Sequence, residues 1–344
     1  MTRHPFAPDA PRAAPPRLGT GVRRRFAALL AIGLALLAPT ADAADVLRIA
    51  TSRSPVSLPI YVAQRQGFFA DEQLEVTLTD CIGGTRCLRR LLDGQADLAT
   101  TSEMPVVLQS FAHPDVAIIA TMVNATDNLK LIARKASGIS GSEQLAGRHV
   151  GVIAGTTAQY LLETHLLAIG VDPRHVTMVP LQPEDTVAAL RAGRIDAVAV
   201  WEPFGYAALH GADPAGVRLP LRGGYIESFN LVALRASLGK RDAVLTRLLR
   251  AVERAEQFIH AHPAEAQGVL REQLQLDQNF VDWVWDGLGF RLSLDQSLLS
   301  TMAGQVRWAQ REGHVPAGAR PNVLTLIYPG PLKAVNPTAV GTGN

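Results

Sequence analysis

Cysteine is almost missing from this chain: two residues in 344, Cys81 and Cys87. That excludes a disulfide-built scaffold and a zinc module made of several thiolates. Charge is also nearly balanced, at +2 overall, so neither nucleic acid nor an anionic membrane surface is an expected partner. Beyond residue 43 no apolar run approaches the ~20 residues a spanning helix needs. The sequence also lacks H-E-x-x-H, a P-loop, G-x-S-x-G and the dinucleotide glycine fingerprint. Its nine His are scattered, and His260 and His262 read as a solvated helix end. Nothing in these absences calls for an enzyme, a cofactor or a metal.

Two stretches repeat at a fixed distance. Gly94-Gln95-Ala96-Asp97-Leu98-Ala99-Thr100-Thr101-Ser102-Glu103-Met104-Pro105 is echoed by Gly193-Arg194-Ile195-Asp196-Ala197-Val198-Ala199-Val200-Trp201-Glu202-Pro203-Phe204. In each, a leucine-rich helix runs into the glycine, and an apolar strand follows and ends on a glutamate. Glycine suits the position after a helix because it alone takes the left-handed conformation at no steric cost. Strand–helix alternation on both sides of these copies predicts two α/β lobes built on parallel sheets. Ligands bind such sheets at the carboxyl ends of the strands.

The start of the chain reads as an export signal. Arg23-Arg24-Arg25 precedes the apolar run from Phe26 to Ala38, and Ala41-Asp42-Ala43 forms a small-residue cleavage site. Arg23 and Arg24 also fit a twin-arginine signal loosely. Cleavage after Ala43 removes six Arg and two Asp, which turns the formal charge from +2 to −2. In an oxidising compartment Cys81 and Cys87 read as one disulfide; the alternative is a catalytic thiolate assisted by Arg86 and a helix start.

Five motifs, in order, carry a resemblance. They are Leu58-Pro59-Ile60-Tyr61-Val62-Ala63-Gln64-Arg65-Gln66-Gly67-Phe68-Phe69, Leu91 to Ala99, Leu145 to Gly151, Gly155-Thr156-Thr157, and Ala197 to Phe204. Together, over residues 46–235, the chain resembles periplasmic solute-binding proteins of ABC importers, in the group handling aliphatic sulfonates, taurine, nitrate and thiamine-precursor pyrimidines. The resemblance implies a two-lobed, type II-like periplasmic-binding-protein fold. Each lobe would be a mainly parallel sheet flanked by helices and hinged by crossover segments. The expected division is a signal peptide (1–43), lobe 1 (44–128), lobe 2 (129–228), a helical return to lobe 1 (229–330) and a disordered tail (331–344). The implied partners are a small-molecule ligand and a membrane permease, with the protein itself a periplasmic monomer.

Candidate ligand contacts follow from strand ends and helix starts. Thr156 and Thr157 open a helix, Ser54 and Ser57 hold the matching place in the first lobe, and Thr85 follows a Gly-Gly loop. Ser102, Glu103, Trp201 and Glu202 close the two repeats; Glu202 also reads as a helix cap or hinge brace. A carboxylate such as Glu103 facing an anion needs a partner or a proton, so it points to a ligand with an amine, ring N–H or hydroxyl, or to a salt bridge with Arg53 or Arg86. Asn124, Asp127, Tyr225 and Ser228 lie on the expected crossovers. Trp283-Val284-Trp285 reads as core. Three functions fit this pattern: an importer's binding protein for a sulfonate-like anion or a pyrimidine-like heterocycle, an exported cysteine-dependent enzyme on the same fold, and a sensory binding module.

Overall fold

The structure is a computed structural model that describes residues 44–211, 214–222, 224–316 and 321–341, with residues 1, 13, 14 and 318. The expected export signal in 1–43 therefore falls almost wholly outside the described residues. In chain order the first elements are β1 (Asp45–Ser52), α1 (Leu58–Arg65), α2 (Phe68–Asp71), β2 (Leu74–Cys81), α3 (Gly84–Leu92), β3 (Leu98–Ser102), α4 (Glu103–Gln109) and β4 (Val116–Ala125). Next come β5 (Leu129–Arg134), β6 (His149–Val152), α5 (Thr157–Ala168), β7 (Thr177–Pro180), α6 (Thr186–Arg191), β8 (Ala197–Trp201), α7 (Phe204–His210) and β9 (Gly216–Leu219). The chain then runs through β10 (Glu227–Leu234), α8 (Asp242–Ala261), α9 (Pro263–Leu274), α10 (Gln278–Trp285), β11 (Leu288–Ser293), α11 (Gln296–Arg311) and α12 (Gly330–Val335).

The strands form two sheets with one plan. The first has the order β11-β4-β10-β3-β1-β2 and the second β7-β6-β8-β5-β9. In the first, β2, β1, β3 and β4 point one way, and β10 is inserted antiparallel between β3 and β4. In the second, β5 is inserted the same way between β8 and β9. Both inserted strands follow a passage between sheets: β5 begins after residues 126–128, and β10 after residues 220–226. Both sheets are mixed: four strands of each run one way, each takes an inserted antiparallel strand from chain arriving from the other, and β11 adds a second antiparallel strand at the edge of the first.

The repeat sets this geometry locally. Gly94 and Gly193 both sit at φ near +70°, where a side chain would be strained, and each ends the helix before its strand. The aspartate three residues on clamps the neighbouring strand by an exchanged pair of bonds. Asp97 N–H donates to Arg48 O at 2.8 Å, and Arg48 N–H donates back to the Asp97 carboxylate at 2.8 Å. Asp196 does the same with His149, at 2.7 and 3.0 Å.

The helical third closes over the first sheet. On α8 the stripe Leu245, Leu248, Leu249, Val252 and Ala255 is buried at the spacing the sequence showed, with Val244 and Phe258 at its partly buried edge. The C-terminal segment corrects the expectation of a disordered tail. Residues 330–335 are helical, Leu332 and Ala339 are buried, and Leu294 N–H donates to Ala339 O at 2.8 Å. Pro331 and Leu332 bring apolar surface to the core, and its burial offsets the entropy of ordering the segment.

One carboxylate on α8 is buried without an ion-pair partner among the described residues. Glu256 accepts from Leu292 N–H at 2.8 Å, and burial pushes its carboxyl well above the ordinary range. A carboxyl raised in the folded state favours folding at low pH and loses that contribution as pH rises towards its folded value. Glu256→Gln should therefore melt close to wild type near pH 4 and above it in alkaline buffer, the gap widening with pH; a constant gap from about pH 4 to about pH 9 would contradict this.

Candidate functional site

Between the carboxyl ends of the two sheets lies a cavity of about 660 Å³. The first sheet contributes Ser52 at the end of β1 with Ser54 after it, Ile82 to Thr85 across the junction of β2 and α3, and Ser102 at the end of β3. From the second come Ile153 to Ala158 after β6, Pro180 to Pro183 after β7, and Trp201 at the end of β8. These contributions come from strand C-terminal ends, where an open α/β sheet leaves a crevice, while Asn128, Leu129, Glu227 and Phe229 add the starts of β5 and β10.

Local chemistry shapes the walls. Gly83 takes φ +82° and so turns the chain from β2 straight into α3. A Cβ on Gly84 would stand 2.7 Å from Thr101 Cα, so only glycine lets α3 start so close to β3. The facing walls touch through Gly83 and Trp201, where a Cβ on the glycine would lie 3.0 Å from the indole. Thr157 Oγ1 donates to Ser102 Oγ at 2.8 Å, joining the two sheets' sides. At the rim Arg86 reaches across to Glu184 at 2.5 Å and to Gln182 at 2.8 Å. Partial burial pushes the Glu184 carboxyl up, but the Arg86 hydrogen bond and charge outweigh it and leave the group below its ordinary value.

Two helices aim their first turns at this space. Neither α3, of nine residues, nor α5, of twelve, receives a side-chain cap. The Thr156 hydroxyl donates to Ile153 O at 2.7 Å instead of capping α5. Uncapped N–H groups and the helix dipole make such starts favourable for negative charge. Among the inner residues is also a carboxylate, Glu227, the first residue of β10. Asn128 Nδ2 donates to it at 2.7 Å, and the Ser102 and Thr157 hydroxyls face it. Burial and then the charge of Glu103 push Glu227 up to about 8, against the pull of the Asn128 amide and the two hydroxyls beside it.

Of the residues expected from the sequence, Ser54, Thr85, Ser102, Thr156, Thr157 and Trp201 line the cavity. Six others stand elsewhere. Ser57 is buried in the short 3-10 turn that precedes α1. Glu103 is fully buried and accepts from Tyr225 Oη, Ser228 N–H and Gln305 Nε2, the last two at 3.0 Å. Asn124 accepts from Ser228 Oγ at 3.2 Å. Glu202 is fully buried too. It pairs with Lys130 at 3.2 Å and accepts from Trp283 Nε1 and Tyr206 N–H, both at 2.7 Å. So Glu103, Glu202, Tyr225, Asn124 and Ser228 brace the passages between sheets and are not lining residues. A strand-end carboxylate there is nearer to the inserted chain than to the crevice. Asp127 pairs with Lys130 and Arg218, and Trp283, expected as core, also donates to Glu202 and lies against Lys130.

The expected disulfide is also corrected. Cys81 and Cys87 are free, buried thiols, hydrogen-bonded to each other, and neither lines the cavity. The bond from Cys87 lowers the Cys81 thiol, while burial raises that of Cys87 well above its usual value. Arg86 meets Glu184 and not Glu103, and Arg53 donates to Leu274 O. The sequence reading missed Ser52, Arg89, Asn128, Arg194, Glu227 and Phe229 as lining residues. Ser52 ends β1 and was within reach of that rule, and Arg89 lies one turn past Thr85 on α3; Asn128, Glu227 and Phe229 come together only through the crossing of the chain.

The comparisons with known proteins agree with this architecture. The family model described as "NMT1/THI5 like" matches residues 54–266. The chain belongs to that family. Among relatives, a putative aliphatic sulfonates-binding protein of Bacillus subtilis is 25% identical over 232 residues, 65% of this chain and 69% of its own length. The taurine-binding periplasmic protein of Escherichia coli is 27% identical over 171 residues, 49% of this chain, which thus spans about half (53%) of that relative. The alkanesulfonate-binding protein SsuA of Xanthomonas axonopodis pv. citri, solved bound to MOPS, superposes with a TM-score of 0.72 at 18% identity over 83% of this chain and 98% of its own. This NMT1/THI5-like chain has the periplasmic-binding-protein fold of that structure.

Because the start of α3 depends on the missing side chain, Gly84→Ala should overpack the junction with Thr101 and cost about 1–3 kcal/mol of unfolding free energy in urea. An unchanged midpoint would show that the contact is not close.

Proposed function

We propose that this protein is the substrate-binding component of an ABC importer, exported to the periplasm, which captures a small organic anion of the sulfonate or taurine kind. The single observation that carries this reading is the cavity itself. Each sheet contributes one uncapped helix start, α3 or α5, and the rim adds Arg86, Arg89 and Arg194. Both halves thus offer donors to one negative group, which rewards closure on it. The sulfonate- and taurine-binding relatives support the same class.

In this reading residues 44–128 and 229–330 form one lobe and 129–228 the other. The passages that lead into β5 and β10 act as the hinge, and Arg86 with Glu184 and Gln182 latches the closed form. The ligand-loaded form is then delivered to a membrane permease, the protein acting as a monomer after removal of residues 1–43. Trp201 and Phe229 in the wall favour a ligand with an apolar or aromatic body, which keeps a pyrimidine-like heterocycle as the second candidate. The position of both thiols outside the cavity speaks against a cysteine-dependent enzyme.

A thermal-shift screen of residues 44–344 tests this. Saturation at about 100 times Kd adds about 2.7 kcal/mol, so an alkanesulfonate, a taurine analogue or an aminopyrimidine that fits should raise the melting temperature by several degrees. No shift with any of them, on protein refolded free of carried-over ligand, would overturn the reading.

A further inference from the structure

A seat built for a plain anion would present donors alone. This cavity also holds an acidic group on its inner wall and basic groups at its rim. Glu227 is 5% exposed and has no ion-pair partner among the described residues, whereas the fully buried Glu202 has Lys130. Its surroundings fit a carboxylate: Asn128 Nδ2 donates at 2.7 Å, and the Ser102 and Thr157 hydroxyls face it. What the protein does not supply is a positive charge. At the other end Arg89 and Arg194 are exposed, line the same cavity, and have no carboxylate partner among the described residues. The apolar faces of Trp201 and Phe229 belong to the same wall.

We propose that Glu227 is the specificity-determining residue of the cavity, and that the ligand is a small zwitterion whose ammonium or protonated ring nitrogen pairs with Glu227 while its anionic group meets the helix starts and the rim arginines. The proposal rests on the cavity being a ligand seat. The amide oxygen of Asn128 and the Thr85 hydroxyl, both on lining residues and both buried without a partner, show that this wall's polar groups are not fully satisfied by the protein itself. A ligand that lacks the nitrogen would leave Glu227 to hold its own proton.

The charge state gives a readout that needs no variant. Without a cation, burial and the charge of Glu103 place Glu227 at about 8, with Tyr225 as the other titratable group beside it. Pairing with an ammonium ionises it, so binding below that pH releases a proton. Affinity for the zwitterion must then rise with pH until Glu227 is ionised in the free protein. A ligand with no ammonium releases no such proton.

Calorimetry with two matched pairs tests this: 2-aminoethanesulfonate against ethanesulfonate, and 4-(aminomethyl)benzenesulfonate against 4-methylbenzenesulfonate. In at least one pair the amine should bind about tenfold or more tightly at neutral pH. Its affinity should climb between about pH 6 and about pH 8, with heats in different buffers reporting proton release. In Glu227→Gln, with its melting temperature as the check on folding, the preference and the pH dependence should both disappear. Equal binding within both pairs, or a preference that survives in the variant, would overturn the proposal and leave the anion seat standing. Failure of all four compounds to bind the wild type would overturn the anion seat and this proposal together.

Discussion

A carboxylate buried at the end of a parallel strand has to find a partner, and in this protein that requirement holds the two halves together. Each copy of the repeat ends on such a group. Glu202 takes Lys130, Trp283 and the Tyr206 amide; Glu103 takes Tyr225, Gln305 and the Ser228 amide. Lys130 lies on β5, just past one passage between the sheets; Tyr225 lies in the other passage and Ser228 just past it, on β10. The glutamates therefore fix where the chain crosses. Unpaired, each would cost several kcal/mol or take up a proton.

The cavity follows from that anchoring. With the crossings fixed on one side, the carboxyl ends of β1, β2 and β3 face those of β6, β7 and β8, and the loops between carry the helix starts. The same 99-residue offset that separates the repeats also separates Asn128 from Glu227, which bond to each other where β5 and β10 begin. Two equivalent positions thus meet at the inner wall, and one of them is acidic.

Local pattern made much of this readable in advance. The strand β3 and its counterpart β8 stood out because apolar runs beyond a helix-ending glycine have few alternatives, and the stripe on α8 has a helix's period. Thr156, Thr157 and Thr85 were reachable because a helix start after a strand is a local feature. The roles of Glu103 and Glu202 were harder, since a strand-end carboxylate points towards either the crevice or the crossing chain. Only the antiparallel insertion of β10 and β5 decides between them. Glu227 had no local signal: its partners Asn128, Ser102 and Thr157 are far away in sequence. The order of residues 330–341 was hidden because a short Pro- and Gly-containing segment looks the same whether or not a groove receives it.

The anchoring claim is tested most directly by denaturant unfolding of Glu202→Ala. If Glu202 braces the crossing, its loss strands the buried Lys130 with only the half-exposed Asp127, and unfolding free energy should fall by about 3 kcal/mol or more. A variant as stable as wild type would contradict the account and return Glu202 to the ligand.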